Sequence, residues 1–324
     1  MDFGLVGEVT RRLIELPGNI TCIDSGFVRP ELAACYLIEE DGFVGLVETG
    51  TGNSLATILS VLELKNIPIE NVMYVMPTHV HLDHAGGAGQ LMQSCPNAQL
   101  VVHPRGARHM IDPGKLWEGA LSVYGERAMQ QMYGELLPVE ESRILIADDN
   151  FTLDLNGRLL QFIDTPGHAR HHYSIFDERT KGFFTGDTFG IAYDALSSSA
   201  YPFIMPATSP VQFDPQAWYK TLQRYLSFQP ERMYLTHYGM VEQVQSLAKD
   251  LRRRIEVYVE IAEKYQDNKN RSELIRTKIA ERTFAELREL DCPLPAAACK
   301  GMLKMDFDIN VQGLEVWLDT RDRK

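Results

Sequence analysis

The chain has 324 residues, 44% of them hydrophobic and 23% charged, and its formal net charge is −12. That composition is ordinary for a globular protein, and no apolar run approaches the length of a membrane span, so no membrane partner is expected. The acidic balance argues against nucleic acid as a partner, because phosphate binding rests on basic surface, and points instead to a small-molecule substrate.

The start, Met1-Asp2-Phe3-Gly4, lacks the basic-then-apolar pattern of a secretory signal. The five cysteines (Cys22, Cys35, Cys95, Cys292 and Cys299) are odd in number and show no Cys-x-x-Cys pair. They predict neither a disulfide framework nor a zinc finger, and the expected setting is a reducing cytoplasm.

Along the chain, residues 20–24, 33–39 and 43–48 read as short strands, with Asp41-Gly42 as the hairpin turn between the last two. Asn53 or Ser54 is the expected cap of an amphipathic helix running to about residue 65. Residues 72–76 and 99–103 read as strands, and a helix is expected from about Gly86. Residues 104–137 look like a helical insertion whose aromatics, Trp117, Tyr124 and Tyr133, are expected to pack it down rather than line a pocket. Strand patterns return from 143 to 187, notably at 159–163, 172–177 and 182–185, and again at 233–235. Two sheets with helices outside them follow from this distribution, an α/β fold.

Residues 195–214, rich in Ser and Pro, read as a long loop with a substrate-contacting role. From residue 241 the pattern becomes helical, at 243–265 and 272–290; Asp291-Cys292-Pro293-Leu294-Pro295 then breaks it, and a final stretch over 301–317 ends in a basic tail. The expected organisation is a catalytic region over 1–240 and a helical appendage over 241–324, which would shape the substrate entrance or form a homodimer contact. Asp250 and Glu256 flank Arg252-Arg253-Arg254, which is expected to be a solvated helix face rather than an anion site.

The densest chemistry lies in Thr78-His79-Val80-His81-Leu82-Asp83-His84-Ala85-Gly86-Gly87. His168 in Thr-Pro-Gly-His, Asp187 in Thr-Gly-Asp-Thr and His237 in Leu-Thr-His-Tyr add further donors, each just after a strand pattern. A catalytic zinc takes about three protein ligands and a water. The donor set therefore suits two ions: His79, His81 and His168 for one, and Asp83, His84 and His237 for the other. Asp187 would bridge them, since a carboxylate offers two oxygens. Alternate side chains of an extended segment point the same way, so His79 and His81 can converge. His103, His109, His171 and His172 belong to no such motif and are not expected to be ligands.

These residues resemble the metallo-β-lactamase superfamily, whose signature is His-x-His-x-Asp-His followed by a distant His, Asp and His. The resemblance covers about the first 240 residues and implies an αββα sandwich, a two-metal site and the same ligand split. The family's early Asp-Thr-Gly phrase is Glu48-Thr49-Gly50 here, where the resemblance implies an acceptor for a ligand histidine. Thr165-Pro166-Gly167-His168 is similar to the glyoxalase II and lactonase branches, while antibiotic-cleaving members carry cysteine in place of Asp187.

The function implied is a dinuclear hydrolase in which a metal-bridging hydroxide attacks a thioester, lactone or other ester. Asp83 and Asp187 are its catalytic carboxylates, and zinc is the expected metal, with iron or manganese as alternatives. A phosphodiesterase is the enzymatic alternative; a regulatory protein that keeps the metal fold is the non-enzymatic one. Tyr193 could bond an oxyanion, but packing is the expected role.

Overall fold

The computed structural model describes residues 13–321, apart from the side chains at 122–124 and 128. The chain divides into two units. The first holds residues 13–164, 171–186 and 236–240; the second holds 165–170, 187–235 and 241–321.

The first unit opens with a seven-stranded sheet whose spatial order follows the chain. Its strands are β1 (Leu13–Leu16), β2 (Ile20–Asp24), β3 (Ala34–Glu40), β4 (Phe43–Val47), β5 (Val72–Met76), β6 (Gln99–Val102) and β7 (Ile144–Ile146). Neighbours from β1 to β4 are antiparallel, and from β4 to β7 parallel. The switch has a local cause. Asp41 and Gly42 sit at φ 46° and 84°, as a two-residue primed turn requires, so β3 and β4 form a hairpin. After β4 the chain crosses over through helices, which parallel pairing needs.

Those crossovers are α1 (Leu55–Leu64), then α2 (Leu82–Ala85) with α3 (Ala88–Ser94). Ser54, one of the two expected caps, is the N-cap of α1, and its side chain closes the capping box of the 3-10 turn just before it, which Thr51 begins. Ile58, Val61 and Leu62 of α1 and Leu91 of α3 pack with Ile23, Cys35, Leu37, Leu46 and Val75 of the sheet. The alternate strand residues face the other way, where Tyr36 meets the Phe184 ring edge-on at 5.3 Å. Both faces are buried, which is why these strands read as continuous apolar runs.

The second face is covered by an antiparallel group, β8 (Thr152–Leu155), β9 (Arg158–Asp164), β10 (Tyr173–Asp177) and β11 (Gly182–Phe184). Arg158 and Asp177 form a buried forked ion pair there, at 3.1 and 2.5 Å, and Arg158 also donates to the Gly18 carbonyl. The insertion is helical as expected: α4 (Ala107–Ile111), α5 (Gly114–Tyr124) and α6 (Glu126–Tyr133). Tyr133 is buried against Phe27, with ring centroids 5.5 Å apart, so it packs. The Tyr124 side chain lies outside the described residues.

The second unit contains α7 (Pro215–Ser227), β12 (Arg232–Leu235), α8 (Val244–Tyr265), α9 (Arg271–Glu289), α10 (Ala296–Met302) and α11 (Lys304–Thr320). Helices α10 and α11 follow the Pro-containing break, and α8, α9 and α11 pack on one another. Within the segment expected to be a substrate-contacting loop, Phe203, Ile204, Met205, Ala207 and Thr208 are buried. The solvated-face expectation holds for Arg252, which pairs with Glu256 at the surface, and fails for Arg254, which is buried. Buried Glu286 explains the difference, since it accepts from Arg253 at 2.8 Å, Arg254 at 2.7 Å and Arg282 at 2.9 Å. Among the described residues no helix is long and apolar enough to cross a membrane.

Burial alone would raise the Glu286 pKa, but the Arg253 hydrogen bonds and the Arg254 and Arg253 charges outweigh it and hold the carboxyl at about 2. A depressed folded pKa stabilises above the ordinary carboxylate value, and that contribution is lost as pH falls through the folded one. Glu286→Gln should therefore cost on the order of 3 kcal/mol near neutral pH. In urea unfolding the cost should shrink steadily as the pH is lowered toward about 2; a cost independent of pH would contradict this pairing.

Candidate metal centre

Each expected donor follows a strand directly. β5 leads to His79, β9 to His168, β11 to Asp187 and β12 to His237. In the first unit, His81 is the residue that caps α2, and its extended backbone (φ −66°, ψ 153°) carries the chain from the His-x-His segment into the helical turn of Asp83 and His84. That turn is held by Thr49, whose backbone N–H and hydroxyl both donate to the His84 carbonyl, at 2.7 and 2.8 Å. Gly87 packs so closely on this phrase that a Cβ would sit 2.8 Å from the Thr49 and Thr51 carbonyl oxygens. The motif's closing glycine is thus a steric requirement.

Asp83, His84 and His237 come together with donor atoms within 4.8 Å of one another. His84 Nε2 stands 3.6 Å and His237 Nε2 3.4 Å from the same oxygen, Asp83 Oδ2. The opposite ring nitrogens are tied back into the protein. His84 Nδ1 meets Glu48 Oε1 at 2.9 Å, and His237 Nδ1 meets the Leu32 carbonyl at 2.6 Å. A ring whose Nδ1–H donates presents a lone pair at Nε2, which is the form a metal needs. His79 and His81 are also adjacent, Nε2 to Nδ1 at 2.8 Å, and His79 stacks on buried His172 at 4.9 Å. His79 and His84 are buried; His81 and Asp83 keep partial exposure.

Glu48 is fully buried and sits at φ 65°, a left-handed conformation that a residue with a side chain rarely adopts. Its carboxylate accepts from the Thr78 backbone at 3.0 Å, the Thr78 hydroxyl at 2.6 Å and the Thr236 hydroxyl at 2.8 Å, besides facing His84. The role implied for this position is therefore filled by the longer Glu. Burial, and next the Glu48 charge, pushes the Cys35 thiol and the Tyr173 hydroxyl well above their usual values, so both stay neutral at ordinary pH.

In the second unit, His168 and Asp187 are neighbours, with Nε2 3.3 Å from Oδ2. His168 Nδ1 faces the Ala207 carbonyl at 2.6 Å, repeating the arrangement of His84 and His237. Tyr193 is buried, and its hydroxyl donates to Asp306 at 2.9 Å, the packing role expected of it. The sequence did not disclose Thr78 and Thr236 as holders of Glu48, nor the Leu32 and Ala207 carbonyls; a backbone acceptor leaves no mark in a motif.

The chain belongs to the metallo-beta-lactamase superfamily, whose family model matches residues 28–237. The metallo-beta-lactamase fold-containing protein ST1585 of Sulfurisphaera tokodaii is 27% identical over 65% of this chain and 75% of its own length. Its crystal structure superposes with a TM-score of 0.61 at 26% identity, covering 84% of this chain and 98% of that one. The metallo-beta-lactamase family protein TTHA1429 of Thermus thermophilus gives a TM-score of 0.66 at 19% identity, over 95% and 94% of the two chains, a likeness of fold. YobT of Bacillus subtilis is 26% identical over 54% of this chain and 71% of its own. The fold is accordingly the α/β sandwich of this superfamily, followed by C-terminal helices, and its His/Asp groups suit a divalent metal.

Glu48→Ala would strip an acceptor from both Thr78 donors, Thr236 and His84. Metal affinity should fall about 10- to 100-fold, and the metal-free protein should lose on the order of 3 kcal/mol. Zinc titration with a competing chelator reads the first and denaturant unfolding the second; unaltered affinity would remove Glu48 from the centre.

Proposed function

We propose that the protein is a dinuclear metal-dependent hydrolase of a small carbonyl compound: a thioester, lactone or other ester. The observation that carries this reading is the approach of His84 Nε2 and His237 Nε2 to one Asp83 oxygen, with both Nδ1 atoms anchored. Neutral imidazoles and carboxylates are the donor set of a divalent zinc site. The reading keeps the split from the sequence: His79, His81 and His168 for one ion, Asp83, His84 and His237 for the other, and Asp187 shared. Zinc is the proposed metal, with iron or manganese as alternatives.

When bound, two divalent ions lower the pKa of water enough to supply hydroxide near neutral pH and offset the charge that develops on the substrate oxygen. The side chains supply the rest. Glu48 and the Leu32 and Ala207 carbonyls hold three imidazoles in one tautomer. Asp83 directs Oδ2 at His84 and His237, and in this reading its carboxylate also orients the attacking water or relays its proton. Asp187, rather than cysteine, favours ester and thioester substrates over lactam antibiotics, and the net charge of −12 favours a small substrate over nucleic acid. We further propose a cytoplasmic setting, supported by five scattered cysteines, odd in number and without a Cys-x-x-Cys pair, and a homodimer through the C-terminal helices.

The test is initial-rate hydrolysis by zinc-loaded protein across matched thioesters, lactones and phosphodiesters, each with a chelator control. Chelator-sensitive turnover of a thioester or lactone is expected, and turnover of phosphodiesters alone would replace the carbonyl reading. Asp187→Ala should lower that turnover more than about 100-fold, beyond what losing a supporting partner costs, with thermal unfolding still cooperative. Full turnover in that variant would overturn the shared role of Asp187.

A further inference from the structure

The superfamily model ends at residue 237, yet the last helix, α11, reaches back to the segments that carry two donors. Its grip centres on Asn310, which is 2% exposed. Asn310 Oδ1 accepts from the Thr208 backbone N–H at 2.5 Å and from the Thr208 hydroxyl at 2.8 Å. The same hydroxyl lies 3.0 Å from the Asn310 backbone carbonyl. One turn later Gly313 lets the helix backbone touch Thr208 directly, where a Cβ would come within 1.4 Å of the Thr208 carbonyl oxygen.

Thr208 stands between two residues that frame the His168 ring. Ala207 puts its carbonyl 2.6 Å from Nδ1, and Ser209 puts its hydroxyl 3.2 Å from Nε2. One turn before Asn310, Asp306 accepts from Tyr193, in the segment that follows Asp187. Ile191 and Met205 join these segments by paired backbone hydrogen bonds of 2.8 and 2.9 Å. A clamp on Thr208 therefore sets where the Ala207 carbonyl lies, and with it the rotation and tautomer of His168.

We propose that Asn310 is a positioning residue for His168, acting through Thr208 and Ala207, so that the C-terminal helix is a working part of the metal centre. This rests on the proposed metal role of His168. The test compares Asn310→Ala, Asn310→Asp and Leu314→Ala in the full chain. Leu314 is equally buried on α11 but has an apolar side chain that cannot hydrogen-bond Thr208, and it serves as the packing control. Zinc affinity is read by competition with a chromophoric chelator, and fold stability by melting of the metal-free protein.

Asn310→Ala should bind zinc about 10- to 100-fold more weakly, the usual cost of losing a ligand's support. Asn310→Asp, which keeps the accepting oxygen, should restore most of that affinity. Leu314→Ala should lower the melting temperature with little change in affinity. Should Asn310→Ala fail to fold, Thr208→Val removes only the hydroxyl bonds and should weaken zinc binding in the same direction by less. Equal affinity losses in Asn310→Ala and Leu314→Ala, or no rescue by Asn310→Asp, would overturn the positioning role while leaving the metal reading intact. Wild-type protein that takes up no zinc would overturn both.

Discussion

An imidazole has two nitrogens, and a metal site depends on deciding which of them carries the proton. Here the decision is made three times in the same way. His84, His237 and His168 each direct Nδ1 at a protein oxygen, and each turns Nε2 toward a carboxylate. Two of the three acceptors are backbone carbonyls, fixed wherever the fold puts them. The third is Glu48, a charge buried without access to water, and it is tolerable only because Thr78 and Thr236 also donate to it. Much of the first unit can be understood as what keeps Glu48 there: β4 delivers it, the segment after β5 supplies Thr78, and the segment after β12 supplies Thr236.

Electrostatics then follow from that carboxylate. Burial and the Glu48 charge keep Cys35 and Tyr173 neutral, so neither adds a thiolate or phenolate to the interior of the first unit. The second unit solves a similar problem with its own buried carboxylate, Glu286, which three arginines surround. There the effect is to tie α8 to α9 rather than to orient a ligand.

The strands of the sandwich and the donor motif were legible in the sequence because both rest on local pattern. Apolar runs bounded by turns marked β2 to β6 to within a residue, and Asp41-Gly42 marked its hairpin. Glu48 could be assigned because the phrase Glu-Thr-Gly stands where the family has Asp-Thr-Gly. What stayed hidden depends on distant backbone. Nothing in Leu32 or Ala207 announces that its carbonyl will meet a histidine ring. Residues 195–214 read as a long substrate-contacting loop from their prolines and serines, and nothing local shows that Phe203 to Thr208 are buried or that a helix far along the chain grips Thr208. Arg254 read as solvated because its sequence neighbours are charged; its partner, Glu286, lies on the next helix. Strand β1 does not stand out because its four residues, Leu-Ile-Glu-Leu, show no alternation.

The most direct test of this account is the metal content of the protein after loading with zinc and desalting, measured by elemental mass spectrometry against chain concentration. Two ions per chain is the predicted result, since the donors divide into two sets with Asp187 between them in role. A chain that retains one ion or none would contradict the dinuclear centre on which the proposed hydrolysis depends.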